Sequence, residues 1–345
     1  MHKIEIIDPT TYPGWDEMVL STPDYSFFHS SFWARTLTGS YGYKPIYFAV
    51  LDRGRLLGLI PLMAINSNWT GHRGVSLPFS DYCEPLFPEP SLFPDLFNGI
   101  VEFGKKFRWR YVELRGGESF FPNMVSSSSY YLHTLDLSAN ESELFSGFKD
   151  STRRNIRKAA REGVQVRIGN SFLFVEEFYR LHCMTRKIHG LPPQPFYFFR
   201  NICDHILSSQ QGMLVLAYYE KKVIAGAVYF HFGKKAIYKY GASDKAYQHL
   251  RPNDLVMWEA IRYYCGKKYT NFSMGRTEKM NKGLQGFKIG WNTTERIVHY
   301  YRYHVGEAKF VANSDHSTFS YRTLLSHAPI PLLRIMGFLA YKHMG

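Results

Sequence analysis

Cysteine is scarce in this chain, and the few cysteines follow no metal-binding or redox spacing. None of the 4 cysteines forms a Cys-x-x-Cys pair, and the 14 histidines contain no His-Glu-x-x-His motif. We therefore predict no metal site. We also predict free, mostly buried thiols in a reducing compartment. The four are Cys83, Cys183, Cys203 and Cys265.

Long apolar runs are also missing. No stretch reaches the roughly 18 apolar residues of a membrane-spanning helix. The segment Met1–Asp8 lacks the apolar region of a signal peptide. These features predict a cytoplasmic protein. The short, apolar and basic segment Pro331–Met344 leaves two interpretations open: a helix on the inner face of the membrane, or a helix packed on the protein itself.

Acidic residues are outnumbered. The chain has 29 Asp and Glu against 42 Lys and Arg, which gives a net charge of +13 and a pI of about 9.4. A polyanionic partner fits this balance: nucleic acid, a phosphate-bearing substrate or anionic lipid. A basic surface without such a partner is the alternative. Apolar residues make up 45% of the 345 residues, which suits a globular protein of two domains.

One short pattern occurs twice. Ala49–Ile60 and Ala217–Val228 align without a gap at an offset of 168 residues, with Asp52-Arg53 opposite Glu220-Lys221 and Gly58 opposite Gly226. Each copy is an apolar strand, a charged turn and a second strand, as in a β-hairpin. A second echo, Gly-Lys-Lys-aromatic before a strand, begins at Gly104 and at Gly266. We interpret the two echoes as a duplicated domain, with chance similarity of common hairpins as the alternative.

Helical segments interleave with antiparallel and crossover strands along the whole chain, which predicts a mixed α/β class. The expected division is an N-terminal domain over 1–136, a C-terminal domain over 137–305 and a basic tail with a helix over 306–345.

The most basic segment, Lys149–Gly163, predicts a helix with a cationic face. Arg153 and Arg157 are one helical turn apart on that face. Arginines in such a row bind phosphates through charge-assisted hydrogen bonds. A helix start at Ser151 or Thr152 would add backbone donors. The alternative is a solvated charged face.

Further candidate site residues lie in the second half. Tyr238 and Tyr240 alternate along a predicted strand, so we expect them on one face of it, where they orient a substrate or pack as core aromatics. Arg276 ends a strand, where site residues collect. Lys288 follows a glycine-rich segment, either reaching an anion or lying on the surface as an ordinary lysine.

Six motifs occur in a fixed order along the chain: Phe27–Trp33, Leu77–Tyr82, Arg154–Val164, Tyr240–Ser243, Leu255–Glu259 and Gly283–Lys288. Together they resemble the FemAB-type aminoacyltransferases and their FemAB-related, GNAT-like acyltransferase relatives. The resemblance covers about residues 10–305, and the order and spacing of the motifs are more specific than any single motif.

The resemblance implies two tandem GNAT-like domains, in agreement with the duplication. It implies transfer of an acyl or aminoacyl group to an amine of a cell-envelope precursor, of peptidoglycan or polysaccharide type. Arg153, Arg157, Tyr240 and Lys288 would line the acceptor cleft, with Lys288 against an acceptor phosphate. Asp81 is a weaker candidate for a substrate contact or a base.

The sequence differs from the family's pattern in two places, and both concern the identity of the acyl donor. No long heptad segment provides the coiled-coil arm of some aminoacyl-tRNA-dependent members. Gln248–Asn253 replaces the glycine-rich loop that holds coenzyme A pyrophosphate, and Pro252 removes a backbone donor there. We expect no permanently bound cofactor, and a donor that is aminoacyl-tRNA or acyl-CoA.

The partners that follow are a phosphate-bearing envelope precursor, tRNA and a membrane surface contacted through the C-terminal helix, but not DNA. Two alternative functions stay open. One is an acyl-CoA-dependent N-acyltransferase that tailors exopolysaccharide. The other is a non-catalytic protein that binds RNA or a membrane surface.

Overall fold

A computed structural model describes residues 3–312 and 319–345. The chain forms two compact units. The first unit contains residues 3–130, 297–312 and 340–345, and the second unit contains 131–296 and 319–339. Residues 1–2 of the predicted N-terminal domain and 313–318 of the predicted tail lie outside the described residues.

The elements alternate between helix and strand, as the mixed α/β class requires. In chain order they are β1 (Ile4–Ile7), α1 (Trp15–Leu20), α2 (Ser31–Tyr41), β2 (Lys44–Asp52), β3 (Arg55–Ser67), β4 (Gly71–Val75), α3 (Phe93–Lys106), β5 (Tyr111–Arg115), β6 (Ser128–Asp136), α4 (Glu141–Gly147), α5 (Asp150–Arg161), β7 (Gln165–Gly169), α6 (Phe172–Ile188), α7 (Phe196–Ile202), β8 (Gly212–Tyr219), β9 (Lys222–Phe232), β10 (Lys235–Ser243), α8 (Pro252–Gly266), β11 (Asn271–Glu278), α9 (Lys282–Ile289), β12 (Thr294–His304), β13 (Lys309–Phe310), α10 (Phe319–His327) and α11 (Ile330–Ala340).

The two units repeat one topology. In the first, β2, β3 and β4 are antiparallel neighbours, α3 follows, and β5 pairs parallel to β4. In the second, β8, β9 and β10 are antiparallel, α8 follows, and β11 pairs parallel to β10. A parallel pair needs a crossover connection, which the helix supplies in both cases. The predicted duplication is therefore confirmed.

The predicted alignment of the two hairpins is wrong by one residue. The strand ends pair as Asp52 with Arg55 and as Tyr219 with Lys222, an offset of 167 rather than 168. Each two-residue turn has positive φ at both positions: Arg53 and Gly54 in the first, Glu220 and Lys221 in the second. Such turns match the strand twist. Because the second turn contains no glycine, the sequence did not reveal where it lies.

The predicted C-terminal domain differs from the second unit over residues 297–305. These residues belong to the first unit because β12 pairs antiparallel with β5, from Tyr300 opposite Arg115 to His304 opposite Tyr111. Periodicity identifies a strand but does not identify its partner, so the sequence placed this segment in the wrong domain.

Each unit has its own apolar core, in which the crossover helix covers the sheet. In the first unit α3 contributes Phe93, Leu96 and Ile100. In the second unit α8 is buried over most of its length and contributes Leu255, Trp258 and Ile261. Within the described ranges no helix has the length and apolarity needed to cross a membrane.

Candidate functional site

In the second unit, strands β10 and β11 separate soon after they pair. Among the described residues their ladder runs only from Lys235 opposite Asn271 to Ile237 opposite Ser273. β10 then continues to Ser243 and β11 to Glu278. Beyond this ladder, among the described residues, no pairing joins the two strands. The separation creates an opening in the sheet, and three of the predicted site residues lie along the two diverging strands.

A β-bulge lies at the start of this opening. Tyr238 pairs with Tyr229 and Tyr240 pairs with Val228, so Lys239 is an extra residue. Consecutive partners on β9 face opposite sides of the sheet, and therefore Tyr238 and Tyr240 do too. The prediction that both tyrosines share one face is wrong, because the strand alternation on which it relied is broken at Lys239.

The two tyrosines consequently have different surroundings. Tyr238 packs on the α8 side, 5.6 Å from the Tyr229 ring, and burial raises its pKa to about 12. Tyr240 lies on the α6 and α7 side, 5.7 Å from the Phe199 ring and 6.2 Å from the His182 ring. Burial and the Arg186 charge lower the pKa of His182 to about 3, so this imidazole is neutral.

Lys288 lies against the other edge of the opening. Its side chain is 1% exposed, and Nζ donates hydrogen bonds to the carbonyls of Gly275 (2.8 Å) and Arg276 (3.0 Å). Gly275 has a φ of +69°, which breaks the strand alternation and brings two successive carbonyls to one amine. The interpretation of Lys288 as an ordinary surface lysine is therefore wrong. Arg276 contributes its carbonyl, and its side chain is half-buried.

A buried histidine near Lys288 was not predicted as a site residue. Nε2 of His133 lies 2.9 Å from Oε2 of Glu295, and the His133 side chain is fully buried. Burial, followed by the Lys288 charge, lowers the His133 pKa, and Glu295 opposes this shift. The signal available in the sequence was a single histidine in an otherwise strand-like segment, which does not distinguish a core residue from a site residue.

The basic helix α5 borders a second feature, a cavity of about 660 Å³ that we call the basic groove. Its lining contains six cationic side chains and only one carboxylate, and both predicted arginines are among the cations. Arg153 also donates to the Ser146 carbonyl at 3.1 Å, and the Arg157 guanidinium lies 5.3 Å from the Phe145 ring. The lining is Asp150, Arg153, Arg154, Asn155, Arg157, Lys158, Arg161 and Arg251.

The predicted cap of this helix, Ser151 or Thr152, is two or three residues too late. α5 begins at Asp150 with Lys149 as its N-cap, so Ser151 and Thr152 lie inside the first turn, and Thr152 is buried. The cationic groups at the groove are therefore side chains along the helix, joined by Arg251 from the segment before α8.

A buried carboxyl group lies next to the basic groove. Nδ2 of Asn155, a lining residue, is 3.4 Å from Oδ1 of Asp254, and Asp254 is 8% exposed. Burial raises the pKa of Asp254 to about 6, although Asn155 and Arg251 favour the ionised form. Asp254 therefore changes its protonation state near pH 6, well above the usual range of an aspartate. Sequence reasoning missed it because its burial depends on tertiary packing.

The predicted site residues thus fall into separate places. Arg153 and Arg157 line the basic groove, whereas Tyr240 and Lys288 belong to the opening between β10 and β11. Asp81 lies in the first unit, where its backbone carbonyl accepts a hydrogen bond of 2.8 Å from the Tyr300 hydroxyl.

The first unit fills the position at which the second unit has its opening. The loop 76–83 follows β4 and bonds back to β5: Ser76 N donates to the Glu113 carbonyl and Cys83 N to the Arg115 carbonyl. The buried Arg115 guanidinium donates to the Leu77 and Ser80 carbonyls, each at 3.1 Å. Asp81 is part of this filled segment, and the open site belongs to the second unit.

The cysteine thiols lack the properties of a catalytic nucleophile. The four cysteines are free, and Cys83 and Cys183 are buried. Burial raises the pKa of all four thiols, which disfavours the thiolate form needed of a nucleophile. Across residues 3–312 and 319–345 no group of three or more His, Cys, Asp or Glu side chains is arranged to hold a metal ion.

The basic groove allows a direct prediction about polyanion binding. The double variant Arg154→Gln/Arg157→Gln is expected to bind a short RNA oligonucleotide more weakly. When log Kd is plotted against the logarithm of the salt concentration, the slope for the variant should be smaller by roughly 0.7 for each phosphate that it no longer neutralises. Fluorescence anisotropy over a salt series measures this slope. Arg200→Gln/Lys221→Gln removes the same charge outside the groove. An equal change in both double variants would contradict a localised site.

Comparison with known proteins agrees with this architecture. The acetyltransferase (GNAT) domain family matches residues 146–288, a range that contains α5 and ends at Lys288. The UDP-N-acetylmuramoylpentapeptide-lysine N(6)-alanyltransferase of Weissella viridescens is 22% identical over 115 residues. That match spans 32% of this chain and about a third, 34%, of the relative's length.

Solved structures show the same fold at low identity. FemX has a TM-score of 0.66 at 15% identity, over 86% of this chain and 96% of that one. L-PGS from Bacillus licheniformis has a TM-score of 0.55 at 13% identity, over 93% and 98%. A tandem GNAT protein from the clavulanic acid biosynthesis pathway has a TM-score of 0.53 at 9% identity, over 89% and 99%.

The chain thus contains a match to the acetyltransferase (GNAT) domain family over residues 146–288 and has a fold of two GNAT-like units, and both findings agree with the resemblance of its motifs to the FemAB-type proteins.

Proposed function

We propose that this protein is an acyltransferase that moves an acyl or aminoacyl group to an amine of a cell-envelope precursor. The observation that carries the proposal is the opening between β10 and β11, with the buried amine of Lys288 at its edge. A preorganised cation in a site shielded from water can stabilise the charge that develops on a carbonyl oxygen during acyl transfer. The alanyltransferase relative acts on an envelope precursor by its name, which supports the acceptor class.

The reaction is a substitution at a carbonyl carbon. A neutral amine of the acceptor attacks the carbonyl carbon of an activated ester or thioester, and the oxygen becomes an oxyanion. The intermediate collapses, the C–O or C–S bond breaks, and the leaving group takes up a proton while the new ammonium loses one. Most of the rate gain comes from holding both substrates in position.

Separate residues would serve the two substrates. We assign the phosphates of the acceptor to Arg153 and Arg157, because the basic groove concentrates guanidinium groups that bind phosphate bidentately. Tyr240 would present its ring to the bound substrate. Arg276 would act mainly through the backbone that holds Lys288. Tyr238 packs on the α8 side, and we assign it a supporting position behind the opening.

Two donors fit the fold. An aminoacyl donor is favoured by the alanyltransferase relative, and the family resemblance implies that this donor is aminoacyl-tRNA. Acyl-CoA is the alternative, with polysaccharide as acceptor, and the tandem GNAT neighbour supports it at the level of fold. In both cases the donor is a substrate and not a resident cofactor. We place the reaction in the cytoplasm, at the inner face of the membrane where envelope precursors are assembled.

Donor binding tests the proposal. The measurement compares alanyl-tRNA with the same tRNA deacylated, at physiological salt, with acetyl-CoA as competitor. We expect a preference for the charged form that acetyl-CoA does not abolish, followed by transfer to a UDP-linked muramyl pentapeptide. Displacement by acetyl-CoA would select the acyl-CoA donor. Equal, salt-sensitive binding of both tRNAs with no turnover would instead support a non-catalytic RNA-binding protein.

A further inference from the structure

Helix α11 displays its apolar side chains to solvent. Ile335 is 59% exposed and Phe338 57% exposed, and Leu332 and Leu339 are also about half exposed. The opposite side of the helix packs on the protein through Leu333 and Gly337, both buried. Gly337 lies directly against the Pro193 backbone, at a distance that leaves no room for a β-carbon. The helix is therefore held firmly in an orientation that leaves an apolar surface uncovered.

An apolar groove of about 490 Å³ runs beside this helix. Its walls come from α6, α7 and α11, and its side chains are aromatic or aliphatic except for one cation, Arg334. The exposed guanidinium of Arg334 lies 5.5 Å from the Tyr179 ring. The lining is Tyr179, Pro195, Phe196, Tyr197, Pro331, Arg334, Ile335 and Phe338.

The charge of the segment that carries this face has one sign. Residues 319–339 contain no Asp or Glu, whereas Arg322 and Arg334 are basic. Two copies of this face would bring like charges together, which disfavours a symmetric dimer. An anionic lipid surface complements both properties, because its headgroups neutralise the cations and its hydrocarbon accepts exposed apolar side chains.

We propose that this face binds an anionic membrane surface, with α11 at the level of the headgroups. One hydrocarbon chain of an anionic lipid occupies the groove between α11 and α7, and Arg334 contacts the phosphate of that lipid. The proposal goes beyond the transfer reaction, since it concerns a site on a different helix and requires no donor or acceptor.

Vesicle co-sedimentation of the full chain tests this proposal. The probes are phosphatidylcholine vesicles with and without phosphatidylglycerol. We expect binding to the mixed vesicles that weakens with salt. Ile335→Asp/Phe338→Asp should weaken it by roughly 100-fold or more, since each buried apolar side chain is worth about 10- to 100-fold. Arg334→Gln should lower binding to the anionic vesicles about 5-fold and leave residual binding to neutral vesicles unchanged.

The control is the double variant Val125→Asp/Met280→Asp, which places the same two charges at apolar residues that are 53% and 90% exposed and lie outside α11. Circular dichroism and thermal unfolding verify that all variants are folded. Equal binding by the wild type and the α11 variants would overturn the proposal. So would a lipid-independent dimer abolished by the α11 variants, because the face would then be an interface between copies. Transfer activity does not enter these measurements, so this result and the test of the enzyme are independent.

Discussion

Replacing Lys288 by methionine is expected to reduce turnover of the transfer reaction by roughly 10²- to 10³-fold, the effect of removing one preorganised group that stabilises an oxyanion. Methionine keeps much of the side-chain volume and removes the amine. The measurement is the steady-state kinetics of transfer with the donor and acceptor pair identified by the binding assay. A fall in kcat with little change in KM is the expected result.

The kinetic pattern distinguishes two roles for Lys288. If the amine instead held an acceptor phosphate, as the family resemblance implies, KM for the acceptor would rise and kcat would change less. Unchanged values of both would contradict any place for Lys288 in the site.

A structural effect must be separated from the chemical one. Lys288→Met leaves the Gly275 and Arg276 carbonyls without this donor, at a cost of about 1–3 kcal/mol for each carbonyl left unsatisfied. Thermal unfolding measures that cost. Lys282→Met is the matched control, because Lys282 begins the same helix but is exposed and bonds to Gln285. We expect this control to retain activity.

Asp254→Asn is expected to raise the free energy of unfolding at neutral pH by up to about 2–3 kcal/mol. Burial raises the pKa of Asp254 to about 6 from 3.8, so folding favours the protonated acid. The contribution of Asp254 to stability is therefore lost as the pH rises from about 4 through 6, at about 1.4 kcal/mol per unit of pKa shift. Asparagine is always neutral and keeps an oxygen that accepts from Asn155.

Urea unfolding at pH 4, 5, 6 and 7.5 measures this difference. The stability gained by Asp254→Asn should be small at pH 4 and should grow until about pH 7. Asp204→Asn, at an exposed carboxylate in the same unit, serves as the control, and its effect should be small at every pH. A gain that does not depend on pH would show that the ionisation of Asp254 is not its cause.

The sequence predicted those features of the fold that depend on local residue patterns. Apolar runs and charged turns identify hairpins, so the duplication and the mixed α/β class could be inferred from the sequence. The GNAT-like fold was implied by the resemblance to the FemAB-type family. The sequence did not show the position of the second turn, because Glu220 and Lys221 adopt positive φ although neither is glycine. The partner of β12 was not readable either, since pairing with β5 joins segments far apart in the chain.

In the candidate site, the sequence identified individual residues but not the tertiary contacts that surround them. Lys288 and the two arginines were identified by residue type and motif, and their proposed roles remain to be tested. The bulge at Lys239, which separates Tyr238 from Tyr240, comes from tertiary pairing and leaves no mark on the residue pattern. The raised pKa of Asp254 and the burial of His133 depend on the side chains packed around them, which no single segment specifies.

The filled position in the first unit determines how this unit would respond to mutation. Arg115 in that unit is tied both to the loop 76–83 and to Glu113, which also pairs with Arg302. A mutation that removed Arg115 alone would leave Glu113 with Arg302 as a remaining partner but would deprive the Leu77 and Ser80 carbonyls of this donor, at a cost of about 1–3 kcal/mol for each buried group left unsatisfied. Opening this unit would therefore require several simultaneous substitutions. The two units share one topology, yet a single substitution is not expected to give the first unit the opening of the second.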